Sequence, residues 1–224
     1  MVNIAAWEGL VNELNPQGVT LIAVSKTKPN EDIQALYNAG QRDFGENYVQ
    51  ELTDKQAALP KDIRWHYIGH LQGNKVKYIA PFVHLIHAVD SYKLLKEINK
   101  EAAKNNRVID VLLQMHIADE ETKFGLDESE LVELISSYET QKAELANIRI
   151  CGLMGMATNT TDEQKISEEF STLHNFFKKL AATNFAGKDY FKTCSMGMTS
   201  DYKIAIESGS NMVRIGSLLF GSRY

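Results

Sequence analysis

The sequence predicts an α/β protein built as a single (β/α)₈ barrel, and three observations predict it. Apolar runs of strand length alternate with helical patterns eight times along 224 residues. Each strand run is nearly continuous in apolar residues, as expected for a parallel sheet covered by helices. Eight βα repeats in this length suit a compact barrel, whereas a doubly wound sheet, the second choice, usually has fewer strands. No stretch rich in Pro, Gly or Ser divides the chain, so one domain over 1–224 is expected.

The elements follow in order. An amphipathic helix over 4–14 comes first and would cap or flank the barrel, filling the place left by a missing helix after strand eight. "LIAVSK" is the first strand, followed by the helix "NEDIQALYNAG", in which Asn30 is expected to cap, Ile33, Leu36 and Tyr37 to form one face, and Gly40 to end the helix. The next units are "RDFGEN" with "YVQELTDKQAAL", "RWHYIGH" with "GNKVKYIA", and "VHLIHAVD" with "SYKLLKEINKEAAKN". "VIDVLLQMHI" leads to a helix over 127–138, where Asp127 and Glu130 suit a capping box. "IRICGLMGMA" leads to a long helix around Phe170, Leu173, Phe177 and Leu180. "YFKTCSMG" precedes the helix "SDYKIAIES", and "NMVRIGSLLFG" closes the chain as a strand without a helix after it.

Composition removes several function classes. Apolar residues at 44% and charged residues at 24% describe a chain that folds by itself. The N-terminus mixes acids with apolar residues, so it does not read as a signal peptide, and no apolar run approaches the roughly 20 residues that span a bilayer. Cys151 and Cys194 are the only cysteines and lack CxxC partners, which points away from disulfides or zinc and towards a reducing cytoplasm. A formal charge of −5 without a dense basic block argues against nucleic acid and leaves small anions open. No HExxH, GxGxxG or Walker-type motif is present, so neither a metal nor a nucleotide is expected.

In a (β/α)₈ barrel, ligands bind where the strands end at their C-termini. Those ends carry Lys26, Glu46 with Asn47, His70, Asp90, His116, Met156, Ser195 with Gly197, and Arg214 with Gly216. A lone strand-end lysine reads as a side chain snorkelling into water. Lys26, however, would share its mouth with Asn, Ser, His and Arg, where partial desolvation and a guanidinium lower an amine pKa. It therefore reads as a nucleophile for an aldehyde or ketone, forming a Schiff base. "CSMGMTSDY" breaks the end of strand seven with small residues and opens a helix at Thr199, Ser200 and Asp201, a combination that suits a phosphate; the plainer reading is a Ser- or Thr-capped helix. Single histidines on strands are more often packed than catalytic. His70 and His116 are thus weak candidates, His66, His84 and His87 are assigned to structure, and Asp90 to a helix cap beside Ser91.

The motifs "AVSKTKP", "FGENYVQE", "WHYIGHLQGNK", "GLMGMA", "SMGMTSDY" and "VRIGSLLFG" together resemble the small pyridoxal 5′-phosphate homeostasis proteins, which share the barrel of the alanine racemase N-terminal domain. The resemblance covers essentially the whole chain. It implies pyridoxal 5′-phosphate as cofactor, held as a Schiff base on Lys26, with Asn47 beside the ring. It also implies Ser195 and the backbone of Gly216 and Ser217 at the phosphate, and Arg214 facing the pyridine nitrogen. A guanidinium there disfavours protonation of the ring, which weakens it as an electron sink.

Racemases of this barrel type take a second base from an extra C-terminal β-domain across a dimer. The chain stops at Tyr224, so that domain is not expected here, and a monomer is. Three readings are ranked: a carrier in vitamin B6 homeostasis that serves pyridoxal-phosphate-dependent apoenzymes without turnover; an amino-acid racemase or related enzyme; and a cofactor-free Schiff-base aldolase on a phosphosugar. Lys123 is a further candidate as a second aldehyde-reactive lysine, against the plainer reading of a solvated side chain.

Overall fold

The computed structural model describes residues 2–120 and 124–221. Eight parallel strands close into a barrel in chain order: β1 (Thr20–Val24), β2 (Asp43–Glu46), β3 (Arg64–Tyr67), β4 (Leu85–Val89), β5 (Ile109–Gln114), β6 (Ile148–Met154), β7 (Thr193–Met198) and β8 (Met212–Ile215). The helices are α1 (Ile4–Leu14), α2 (Asn30–Ala39), α3 (Val49–Ala58), α4 (Val76–Ile79), α5 (Tyr92–Lys104), α6 (Glu128–Thr140), α7 (Glu163–Ala182), α8 (Tyr202–Glu207) and α9 (Ser217–Phe220).

Two apolar layers hold this arrangement. Ile22, Leu85, Ala88, Leu112, Met154 and Met212 fill the barrel interior. Outside the sheet, Leu36, Leu52, Ile79, Leu95, Leu134 and Phe170 seat the helices, each burial stabilising by roughly 1.5–3 kcal/mol. The alternation of inward and outward residues along each strand separates the two layers.

Local chemistry sets the helix ends. Ser91 accepts from the Leu94 N–H, and Asp127 and Glu130 form the capping box read from their spacing. Gly40 ends α2 at φ 122°, where a side chain would be strained. Asn30 is not a cap: it is the first helical residue, and Pro29, whose φ is fixed by its ring, stands before it without a capping side chain. Ser91 also displaces Asp90 from the capping role. After β8 the chain does not end as a strand, since residues 217–220 turn into the short α9. The Asn3 N–H donates to Leu219 O and the Tyr202 hydroxyl to Glu13, so α1 lies against α8 and α9 and flanks the barrel there.

Cys151 and Cys194 are buried, and burial pushes both thiols up to about 12. Among the described residues no helix is long and apolar enough to cross a membrane, and no cluster of His, Cys, Asp or Glu has the makings of a metal site.

Candidate functional site

The C-terminal ends of the strands surround a cavity of about 380 Å³. Lys26 lines it from the turn that follows β1. That turn is held from the helix side. Ser25 is fully buried and its hydroxyl donates to Glu46 Oε1 (2.6 Å). The ammonium of Lys55, itself buried on α3, donates to Ser25 O (2.7 Å), Glu46 Oε1 (2.7 Å) and Glu51 Oε1 (2.6 Å). Glu51 Oε1 also accepts the Thr27 N–H (2.6 Å). Thr27 has φ 64°, a left-handed conformation that strains a β-branched residue. Burial raises the Glu46 carboxyl, against the opposing pull of Lys55. Glu46 therefore faces α3 and supports the turn from behind instead of lining the mouth.

Asn47 lines the cavity beside Lys26, and its buried Oδ1 has no hydrogen-bond partner among the described residues. A buried amide oxygen left unpaired costs about 1–3 kcal/mol, so this atom asks for a donor that the described residues do not supply. The Tyr67 hydroxyl, pushed up to about 12 by burial, donates to Asn47 O (3.0 Å) and His70 O (3.2 Å) and fixes the local backbone. Gly69 is required here: a Cβ on it would stand 2.3 Å from Asn47 O.

Across the cavity lie Thr199, Ser200, Gly216 and Ser217. Neither Thr199 nor Ser200 caps α8. Asp201 occupies the N-cap position and accepts the Met198 N–H (2.5 Å), while Thr199 Oγ1 accepts the Gly216 N–H (3.3 Å). The α8 helix has only six residues, so the polar groups this wall offers are hydroxyls and loop N–H groups.

Arg214 lines the cavity and is nonetheless buried. Its Nη1 donates to Ser195 O (2.9 Å) and Ser195 Oγ (2.7 Å), and its Nη2 to Gly155 O (3.0 Å). Burial pulls the guanidinium down to about 10, which leaves it charged at neutral pH. Of the six residues expected at the cofactor, the structure brings Lys26, Asn47, Arg214, Gly216 and Ser217 together around one cavity. Ser195 is placed apart from them. It is fully buried beneath Arg214, and its hydroxyl meets Arg214 and His87 Nδ1 (3.1 Å).

The remaining candidates sit elsewhere. His70 contacts Asp90 (3.1 Å), stacks on Phe124 with ring centres 4.1 Å apart, and lines a neighbouring cleft that shares Asn47. His116 faces Glu120 O (2.9 Å). Lys123 lies outside the described residues. Sequence reasoning missed Lys55, and it assigned His66 and His87 to structure without noticing that they link Asp43 to Ser195. The available signal was polar residues inside otherwise apolar strands, in "DFGE", "RWHY" and "LIHAV".

The family of the alanine racemase N-terminal domain matches residues 5–224. A pyridoxal phosphate homeostasis protein of Aquifex aeolicus is 41% identical over 204 residues, covering 91% of this chain and 86% of the relative. The Escherichia coli K12 protein of the same description is 37% identical over 217 residues, covering 93% and 88%. The solved structure of PipY from Synechococcus elongatus with pyridoxal phosphate bound superposes with a TM-score of 0.84 at 33% identity, covering 97% of this chain and 99% of that one. Alanine racemase from Bartonella henselae shares the fold at a TM-score of 0.70 and 17% identity, and this chain spans 61% of its length. With these matches along nearly its whole length, the chain belongs to the pyridoxal phosphate homeostasis protein family, on the barrel of the alanine racemase N-terminal domain.

Proposed function

We propose that this protein binds pyridoxal 5′-phosphate covalently through Lys26 and takes part in its intracellular homeostasis as a carrier. The observation that carries the reading is the placement of a lysine, an unpartnered amide oxygen, a buried guanidinium and a hydroxyl-lined loop around one cavity. The residues fit the group. Pyridoxal 5′-phosphate supplies an aldehyde for the amine, a hydroxyl for an acceptor such as Asn47 Oδ1, a pyridine nitrogen for a donor, and a phosphate for hydroxyls and N–H groups. Lys26 would bond the aldehyde carbon, whose oxygen leaves as water. Thr199, Ser200, Gly216 and Ser217 would hold the phosphate, and Arg214 the ring nitrogen. Ser195, expected at the phosphate, would instead anchor Arg214.

Two features favour carrying over turnover. Arg214 keeps its charge beside the ring, which opposes ring protonation. Among the described residues, the cavity's titratable groups are Lys26, Lys28 and Arg214, and racemisation needs an acid–base partner opposite the lysine. The Lys28 ammonium is committed to Phe220 O (2.9 Å). We place the protein in a reducing cytoplasm, on its two buried free thiols. We take it to be a monomer that yields the cofactor to pyridoxal-phosphate-dependent apoenzymes.

The test is borohydride reduction of protein incubated with pyridoxal 5′-phosphate, read by intact mass. One adduct in the wild type and none in Lys26→Ala is the expected result. An adduct that persists in the variant overturns the role of Lys26. A wild type without any adduct overturns the cofactor, and measurable racemisation of alanine overturns the carrier.

A further inference from the structure

We propose that Asp43, His66 and His87 form a one-directional hydrogen-bond relay through the barrel interior that fixes the guanidinium of Arg214 from below. They are positioning residues, and only the last step, from Arg214 to the ring, rests on the cofactor reading above.

The direction follows from valence. Arg214 has only N–H donors, so Ser195 Oγ must accept from Nη1 at 2.7 Å. The hydroxyl hydrogen then has His87 Nδ1, 3.1 Å away, as its acceptor. Burial, with the Arg214 guanidinium nearby, holds His87 neutral, so its one proton sits on Nε2 and is donated to His66 Nδ1 at 3.0 Å. His66 in turn carries its proton on Nε2 and donates to Asp43 Oδ1 at 3.0 Å. Asp43 is ionised: burial opposes its charge, but hydrogen bonds from His66 and Arg64 outweigh it and bring the carboxyl down to about 2.

The opposite polarity fails at both ends. It would set two acceptors face to face at His66 and Asp43 unless His66 were charged, and it would leave the Ser195 hydroxyl hydrogen without an acceptor in a fully buried place.

The relay spans the molecule. Asp43 and His66 line a second cavity of about 380 Å³ at the N-terminal ends of the strands, together with Arg64, His84, Asp110 and Arg149. Arg214 lines the cavity at the mouth. The interior cluster beside the relay consists of aliphatic side chains, methionine and the Cys151 thiol, which place little demand on hydrogen bonding. Packing alone gives no reason for two imidazoles there, since buried polar groups must find partners simply to break even. Arg214 is a reason. Its bonds to Ser195 and Gly155 use three of its five N–H groups, and an acceptor locked by the relay sets how the guanidinium plane that lines the cavity is turned.

Two measurements test this. Long-range ¹H–¹⁵N NMR of the cofactor-free wild type at pH 7 should show His66 and His87 neutral and protonated on Nε2. A proton on His87 Nδ1, or a charged His66, overturns the relay. The second measurement is release of pyridoxal 5′-phosphate on dilution, followed by absorbance. His87→Leu should release it about five- to tenfold faster, through loss of one hydrogen bond's worth of orientation at a charged group, and His87→Gln, which keeps an acceptor and a donor, should recover part of that difference. Release from His87→Leu at the wild-type rate overturns the positioning role. If the wild type takes up no pyridoxal 5′-phosphate, the cofactor reading fails, and the NMR tautomers alone decide the relay.

Discussion

Two buried polar networks support the mouth of the barrel, one behind Lys26 and one beneath Arg214, and they are built from opposite materials. Behind Lys26 the support is ionic: the Lys55 ammonium bridges two carboxylates and a carbonyl, and so pins the backbone of Ser25 and Thr27. Beneath Arg214 the support between its charged ends is neutral: a hydroxyl and two imidazoles pass hydrogen bonds in single file. An ion cluster tolerates small shifts of its members because Coulomb attraction is not directional, which suits the holding of a turn. A chain of neutral donors and acceptors fixes orientation, which suits the aiming of a planar guanidinium.

The largest expected effect is on the ionic side. Lys55→Ala leaves Glu46 buried with its main counter-charge gone, and should lower stability to urea by about 3–5 kcal/mol. Replacing both partners by apolar side chains, Lys55→Met with Glu46→Leu, should restore most of that loss while loosening the Lys26 turn, so adduct formation slows although the fold recovers. A loss under about 1 kcal/mol for Lys55→Ala would erase the contrast, because it would put the buried pair on a par with a surface ion pair.

On the neutral side the expected losses are smaller. Ser195→Ala removes the hydroxyl that accepts from Arg214 and donates to His87, and should cost about 1.5–3 kcal/mol, the range for a hydrogen bond to a charged group.

Acid should then weaken this network in two stages. His87 is held well below its ordinary value of 6.5, so the unfolded chain takes up that proton first and stability falls as pH drops below about 6.5. Asp43 is held at about 2 against an ordinary 3.8; its contribution, on the order of 2 kcal/mol, is present above about pH 4 and is lost as pH falls through about 2. Melting temperature against pH should show both declines in the wild type, and the lower one should shrink in Asp43→Asn, leaving the share of other lowered carboxyls such as Asp62 and Asp127. A lower decline of unchanged size in Asp43→Asn would show that Asp43 contributes nothing to it.

The contrast between the two networks also marks how far the amino-acid sequence alone is legible. The barrel is legible because its signal is repetitive: eight apolar runs, nearly all with a helix behind them, leave little choice of architecture, and a strand-end position marks Lys26, Asn47 and Arg214 as facing the mouth. Gly216 is legible for the same reason, whereas Ser217 is named only by the family resemblance. Depth is not legible. Ser195 and Arg214 both sit at strand ends, but whether a side chain reaches the cavity or stops beneath it depends on strand stagger, and register shifts between β7 and β8 remove the simple count. Lys55 is hidden because it stands on a helix whose polar residues otherwise look solvated. Asn30 misleads because a capping residue and a first-turn residue have the same composition, and Pro29 decides between them.

The smallest prediction separates the two networks most cleanly. Thr27 holds φ 64° with an exposed side chain, and the left-handed region costs a β-branched residue roughly 1–2 kcal/mol. Glycine removes that strain but gives back about 0.5–1 kcal/mol in backbone entropy, so Thr27→Gly should stabilise the cofactor-free protein by about 0.5–1 kcal/mol. If the ionic network is what imposes the strain, the gain must depend on it: with Lys55→Met and Glu46→Leu already in place the turn relaxes and Thr27→Gly should gain nothing. A double-mutant cycle reads this coupling directly. The same substitution combined with His87→Leu should keep its full gain, since the neutral relay ends at Arg214 and has no bond to the turn. Equal gains in all three backgrounds would mean that the turn is strained by its own sequence and that Lys55 merely accompanies it.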